Sequence, residues 1–215
     1  MLHGKKHASV MLFAQIVTSN ALMRESKRML VDDNFLSDNE VLDITNRVII
    51  HGGDIPWTLA YQTDVHNGSA SIESDNMHVS YQFAAGLYPG MPAYDYFVQV
   101  FNRFAAKHNV TYNNIIRIKL NWLPRAQVNA SGKWHMPHVD SDQEHHVFLY
   151  YVNDSDGDTF FFNERYPMLK DNGLTLSKQV SPKAGRGVIF DGFTYHASSS
   201  PVDSEYRCIL NVDFN

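Results

Sequence analysis

The sequence predicts a mainly β domain of sandwich or jelly-roll type, with helices flanking its sheets. Three observations carry that expectation. From residue 115 onward, short strand-like runs recur at roughly regular spacing with turn residues between them. Helical periodicity is confined to the part of the chain before residue 115. At 215 residues the chain is one domain's worth of sequence, long enough to bury a core without covalent staples.

Taken in order, residues 1–30 read as a helix or a tail, because Ala21-Leu22-Met23 and Met29-Leu30 form no clean stripe. Residues 31–36 look like a short strand. Ser37-Asp38-Asn39-Glu40 has the spacing of a capping box. Val41, Ile44 and Val48 continue one helical face, which stops before Gly52-Gly53. Between residues 57 and 90, aromatic segments around Trp57, Tyr61, Tyr81 and Phe83 are broken by Gly and Asn, as expected for strands and loops flanking a main sheet. Pro92 opens a helix whose stripe is Tyr94, Phe97, Phe101, Phe104 and His108, a core face by its spacing.

Residues 115–123 then alternate. Ile116, Ile118 and Leu120 share one face; Arg117, Lys119 and Asn121 share the other. Further strands are expected at 146–152, 159–163, 174–180, 187–191 and 206–214. The division this suggests is an N-terminal segment 1–30 and a single domain 31–215, in which 31–114 supports a β core of 115–215.

Composition narrows the function classes. Eighteen basic against 23 acidic residues leave a net charge of −5, which argues against a dedicated nucleic-acid surface. The single cysteine, Cys208, excludes an internal disulfide framework and reads as a packed strand residue in a reducing cytoplasm. No run of 18 apolar residues is present, so no membrane span is expected. Lys5-Lys6 ahead of residues 9–17 faintly resemble a signal peptide, but Gln15 inside the run and Arg24, Lys27 and Arg28 after it do not fit one. Asp154-Ser155-Asp156-Gly157-Asp158 has calcium-loop composition. It lies between strands, however, and has no terminal Glu, which makes it a solvated turn.

The chemistry concentrates in His138-Val139-Asp140. In a segment read as strand from Trp134 to Asp140, residues two apart point to the same face, so His138 and Asp140 can meet one ion. His196 follows 56 residues after Asp140, and Arg207 eleven residues after that. Two imidazoles and one carboxylate with open positions describe the facial triad of non-haem iron(II) oxygenases. An arginine shortly after the distal His offers a fork for a dicarboxylate cosubstrate. A jelly-roll module that holds a metal without catalysis is the alternative, and Arg207 has no purpose in it.

These motifs resemble the 2-oxoglutarate- and iron(II)-dependent dioxygenases, in particular their prolyl-4-hydroxylase-like branch of bacteria and phages. The resemblance covers roughly 115–215. It rests on His138-Val139-Asp140, Asp156-Gly157-Asp158-Thr159, the run from Ser181 to Gly187, His196 and Arg207. It implies a double-stranded β-helix with the metal at its mouth. It further implies Fe(II) on His138, Asp140 and His196, with 2-oxoglutarate paired to Arg207, O2 as oxidant and ascorbate as auxiliary reductant. The implied reaction converts 2-oxoglutarate to succinate and CO2 while a substrate C–H bond is hydroxylated. Many prolyl hydroxylases carry lysine where Arg207 stands, and Asp156 replaces the first glycine of the usual Gly-Gly-x-Thr turn. Neither departure touches a metal ligand, but both weaken proline as the substrate. A prolyl residue of a peptide, a free amino acid, another small metabolite and a nucleobase therefore all stay open.

Within that resemblance, Asn121, Tyr150 (or its neighbour Tyr151) and Thr159 are candidates to hold the cosubstrate, while Lys119 reads equally as a surface lysine. His135, His145 and His146 read as rim residues or supports of the triad. Substrate choice is expected in the loops at 57–90 and 124–137.

Overall fold

The computed structural model describes residues 29–60, 80–126, 131–167 and 173–215. The expectations for residues 1–28, and for Tyr61 and the rest of 61–79, lie outside those residues.

Ten strands and two α-helices follow in order: β1 (Leu30–Asp32), α1 (Asp38–Thr45), β2 (Thr58–Ala60), β3 (Gln82–Leu87), α2 (Pro92–Lys107), β4 (Ile115–Pro124), β5 (His146–Tyr151), β6 (Thr159–Arg165), β7 (Leu176–Val180), β8 (Gly187–Asp191), β9 (Thr194–Ser198) and β10 (Tyr206–Phe214). Seven strands form one antiparallel sheet in the order β1-β8-β5-β10-β4-β3-β2, and three form a second, β7-β6-β9. The two sheets face each other as a jelly roll.

Alternation along the central strands sorts their side chains into two layers. Ile118, Leu120, Phe148, Tyr150, Ile189, Leu210, Val212 and Phe214 point away from the second sheet and pack against Phe97, Phe101 and Phe104 of α2. Phe104 meets Phe148 at 4.9 Å between ring centroids, and Phe101 meets Phe214 at 4.8 Å. A Cβ on Gly187 would lie 2.4 Å from the Phe104 ring, so glycine is what lets the helix sit this close to β8. On the inner face, Val147, Leu149, Tyr151, Val188, Phe190 and Ile209 meet Phe161 and Val180 of the second sheet. This inner core fills one end of the roll. At the other end the same face turns polar, and the site lies there.

Several elements differ from their sequence reading. The first strand stops at Asp32, because Asp33 turns aside to take Arg186 Nε at 2.6 Å and Lys183 Nζ at 3.1 Å. The Glu40 carboxylate accepts the Ser37 N–H at 2.9 Å, as one half of a capping box requires, and it also accepts the Ser37 hydroxyl at 2.7 Å. The α-helix it starts ends at Thr45, and a π-helical turn, Asn46–Ile50, carries the chain on with Val48 still buried. Ile116 is 47% exposed rather than on the apolar face, because a register shift opposite Asp213 and Phe214 takes it out of alternation. No described helix is long and apolar enough to cross a membrane.

Candidate metal centre and its pocket

The segment from Trp134 to Asp140 is not a strand. It is extended, with single bridges at Trp134 and His138, and it runs beside β9. Two causes are visible. Pro137 has no N–H for a ladder. The contact of His135 N–H with Ser198 O (2.7 Å) is also one residue out of register with the pair His138–His196. At that pair the backbones exchange both hydrogen bonds, at 2.9 and 3.0 Å. Directly opposed residues send their side chains to the same face, and the two rings lie 4.6 Å apart. Asp140 turns in beside them, and the ligand atoms of His138, Asp140 and His196 all lie within 4.8 Å of one another.

The hydrogen bonds fix which atoms face inward. His138 Nδ1 is 3.0 Å from Met136 O, and His196 Nδ1 is 3.2 Å from Thr194 O. A carbonyl oxygen only accepts, so each Nδ1 carries the proton and Nε2 is the nitrogen of each ring on the side away from that carbonyl. His196 Nε2 lies 3.4 Å from Asp140 Oδ2. Burial holds the His196 pKa below its ordinary value against the opposing pull of Asp140. Burial also works to raise the Asp140 pKa, but hydrogen bonding to His196 and the charges of His196, Arg117 and His138 outweigh it and keep the carboxyl well below its usual range. The lowered pKa of His196 and the ionised Asp140 both favour the protonation states that metal binding needs.

Around Asp140 stand Arg117 of β4 and Asn211 and Asp213 of β10. Arg117 Nη2 reaches both Asp140 Oδ1 and Asp213 Oδ2, the latter at 2.8 Å. Asn211 Nδ2 donates to Asp140 Oδ2 at 3.2 Å. Burial and the Asp140 charge push the Asp213 pKa up to about 7.

A cavity runs from this cluster along the inner face of β4 and β10 to Arg207, walled by Leu149 and Ile209 and bordered by Gln82, Lys119, Asn121 and Thr159. Arg207 is 1% exposed. Its Nη2 donates to Thr159 Oγ1 at 2.8 Å, an oxygen that also accepts the Tyr151 hydroxyl at 2.7 Å. Its guanidinium lies 5.8 Å from the centroid of the Tyr151 ring. Among the described residues it makes no ion pair and its Nε has no partner, and burial lowers its pKa against the opposing pull of Tyr151, Cys208 and Asp158. A buried cation with no direct ion pair is a costly arrangement that a carboxylate ligand relieves. Gly157 makes room for it, since a Cβ there would come within 2.7 Å of Ser199 O and 3.0 Å of Arg207 Cδ. Asp156 is no merely solvated residue. Its carboxylate accepts the N–H groups of Val202, Asp203 and Ser204 at 2.8 to 2.9 Å and pins the loop that delivers β10.

Thus Arg207, Thr159 and Asn121 share one cavity with the His138–Asp140–His196 cluster, as does Lys119. Tyr150 does not. It belongs to the opposite face of β5, packed with Phe35 and the helix layer, and its hydroxyl has no partner among the described residues. Tyr151 takes the inward position instead. His135 is clamped between the hydroxyls of Ser198 (2.9 Å) and Ser200 (3.0 Å), His145 Nδ1 binds Gln143 O at 2.7 Å, and His146 stacks on Phe214. The sequence reading left out Gln82, whose Oε1 accepts Asn121 Nδ2 at 2.8 Å, and Asn211. Asn211 was within reach of it, since it shares the inward parity of Arg207.

No family model and no curated protein matches the sequence. Solved structures do match. A prolyl-4-hydroxylase from Pseudomonas putida is similar at a TM-score of 0.53 and 16% identity, over 87% of this chain and 92% of that one. An oxidoreductase of the 2OG-Fe(II) oxygenase family from Burkholderia pseudomallei is similar at 0.58 and 10%, over 93% and 90%. The non-haem α-ketoglutarate-dependent epimerase SnoN of nogalamycin biosynthesis is similar at 0.62 and 10%, over 91% and 83%. At such identities the likeness establishes the fold alone, a jelly roll shared with these structures.

Proposed function

We propose that this protein is an iron(II)- and 2-oxoglutarate-dependent oxygenase that hydroxylates a C–H bond. The observation that carries the reading is the buried Arg207, with no ion pair among the described residues, sharing one cavity with three convergent side chains. In it, His138 and His196 offer Nε2 and Asp140 offers one oxygen to the metal. Arg207 receives the distal carboxylate of 2-oxoglutarate, with the Thr159 hydroxyl beside it, and acts by charge and geometry rather than by proton transfer. Leu149 and Ile209 keep water off the bound cosubstrate. When bound, the iron and 2-oxoglutarate would supply the oxidative chemistry with O2, one oxygen atom passing to the succinate that remains after loss of CO2 and the other to the hydroxyl gained by the substrate.

For the substrate the reading extends to a peptide, including a prolyl residue, or to a small molecule. The similar structures include both a prolyl hydroxylase and an epimerase of a biosynthetic pathway. The test is succinate formation with Fe(II), 2-oxoglutarate, O2 and ascorbate across proline peptides, free proline and nucleosides. Substrate-stimulated succinate is expected from the wild type and none from His138→Ala or Asp140→Ala. Full turnover in either variant would sink the assignment.

A further inference from the structure

Asp140 sits just past the last backbone bridge of its segment, so no strand ladder sets the direction of its carboxylate. Side chains do so instead. Asp213 and Arg117 are directly opposed partners on β10 and β4. Arg117 Nη2 spans from Asp213 Oδ2 (2.8 Å) to Asp140 Oδ1, and the Asp140 and Asp213 side chains are 2% and 3% exposed. The other Asp140 oxygen, Oδ2, is the one that faces His196 Nε2 at 3.4 Å, with Asn211 Nδ2 at 3.2 Å on its flank.

We infer that Arg117 is a positioning residue for the metal centre. It occupies Oδ1, holds the carboxylate plane, and so makes Asp140 a ligand through Oδ2 alone. Asp213 is the anchor that keeps the guanidinium in place, and Asn211 limits rotation from the other side. Both contacts are made by Nη2, whose two N–H bonds are held in fixed directions by the guanidinium plane, whereas an ammonium on a flexible stem imposes no such plane. Outer partners of this kind orient metal ligands, and their loss typically weakens metal binding by roughly 10- to 100-fold. The inference rests on the proposed metal site and adds a role for three residues that do not touch the metal.

The test is Co(II) titration of the purified protein, read by visible absorption, with Fe(II) affinity measured by competition. Wild type, Asp140→Ala, Arg117→Met, Arg117→Lys and the double variant Arg117→Met/Asp213→Asn are compared, the last removing the cation and its buried anchor together so that a folding defect in the single variant does not decide the matter. Far-UV circular dichroism checks the fold. Arg117→Met and the double variant are expected to bind roughly 10- to 100-fold more weakly. Their Co(II) spectrum should also change, as the freed carboxylate rotates to offer both oxygens, and Arg117→Lys should fail to restore it. No Co(II) binding by the wild type would remove the metal site itself. Wild-type binding that is lost in Asp140→Ala, yet kept with unchanged affinity and spectrum in the Arg117 variants, overturns the positioning role alone.

Discussion

Replacing Arg207 with Met should make the ligand-free protein more stable and, at the same time, unable to respond to 2-oxoglutarate. Arg207 is 1% exposed and makes no ion pair among the described residues. Burying a cation without a counter-ion costs several kcal/mol, even after relaxation. Against that cost stand one charge-assisted hydrogen bond, to Thr159 at 2.8 Å, worth about 1.5–3 kcal/mol, the Tyr151 ring at 5.8 Å, worth about 0.5–1 kcal/mol, and the longer-range charge of the half-buried Asp158. The balance leaves Arg207 destabilising by about 1–2 kcal/mol when no anion is present. Met fills much of the same space, and Thr159 Oγ1 keeps its bond from Tyr151. For a chain of this length the variant should melt ~2–8 °C higher. With Mn(II) in place of iron, 2-oxoglutarate at a hundred times its Kd should stabilise the wild type by about 2.7 kcal/mol. It should leave the variant unmoved, so that the order of stability reverses on adding cosubstrate. Differential scanning fluorimetry with and without 2-oxoglutarate measures both halves. A variant that melts lower than wild type, or that shifts equally with 2-oxoglutarate, refutes the reasoning.

Asp33→Asn should weaken the tie between the β1 edge and the turn before β8. The Arg186 hydrogen bond, with help from Lys183 and against the effect of burial, holds the Asp33 pKa down to about 2. A depressed carboxylate stabilises the fold above its ordinary pKa and loses that contribution as pH falls from about 4 toward 2. The variant should therefore lose about 1 kcal/mol at neutral pH, and its stability should fall less steeply over that acid range; urea unfolding at pH 7, 4 and 3 checks this, and an unchanged acid limb counts against it. Gly157→Ala should cost about 1–3 kcal/mol, because the new Cβ would come within 2.7 Å of Ser199 O and 2.9 Å of Pro201 N, both backbone atoms. The loop must shift, and Arg207 with it, so the 2-oxoglutarate melting shift should shrink in parallel; a variant with both values intact counts against the close-approach argument.

How much of this site was legible in the chain depends on how each strand is buried. In β4 one face is polar, so Arg117, Lys119 and Asn121 could be placed together by counting in twos. The same count along β10 from Arg207 passes through Ile209, Asn211 and Asp213. β5 is different. Apart from its first residue, His146, it is apolar and buried on both faces, so its pattern carries no phase, and the choice between Tyr150 and Tyr151 could not be made locally. Pairing decides it: Tyr151 is opposed by Ile209 and Leu149 by Asn211, which turns both to the inner face with the odd-numbered residues of β10, Leu149 at the cavity wall. The HxD segment misled in the opposite way. Its two-residue spacing mimics a strand, yet one bridge to His196 suffices to bring the imidazoles together, and Asp140 is steered by β4 and β10 instead. Arg117 looked like an ordinary polar-face residue because its meaning lies in partners 23 and 96 positions away, Asp140 and Asp213. Ligand identity is thus written in local spacing, whereas ligand orientation is written in cross-strand pairing. The Arg117 variants and the Asp140 variant accordingly probe two separable layers of the same site.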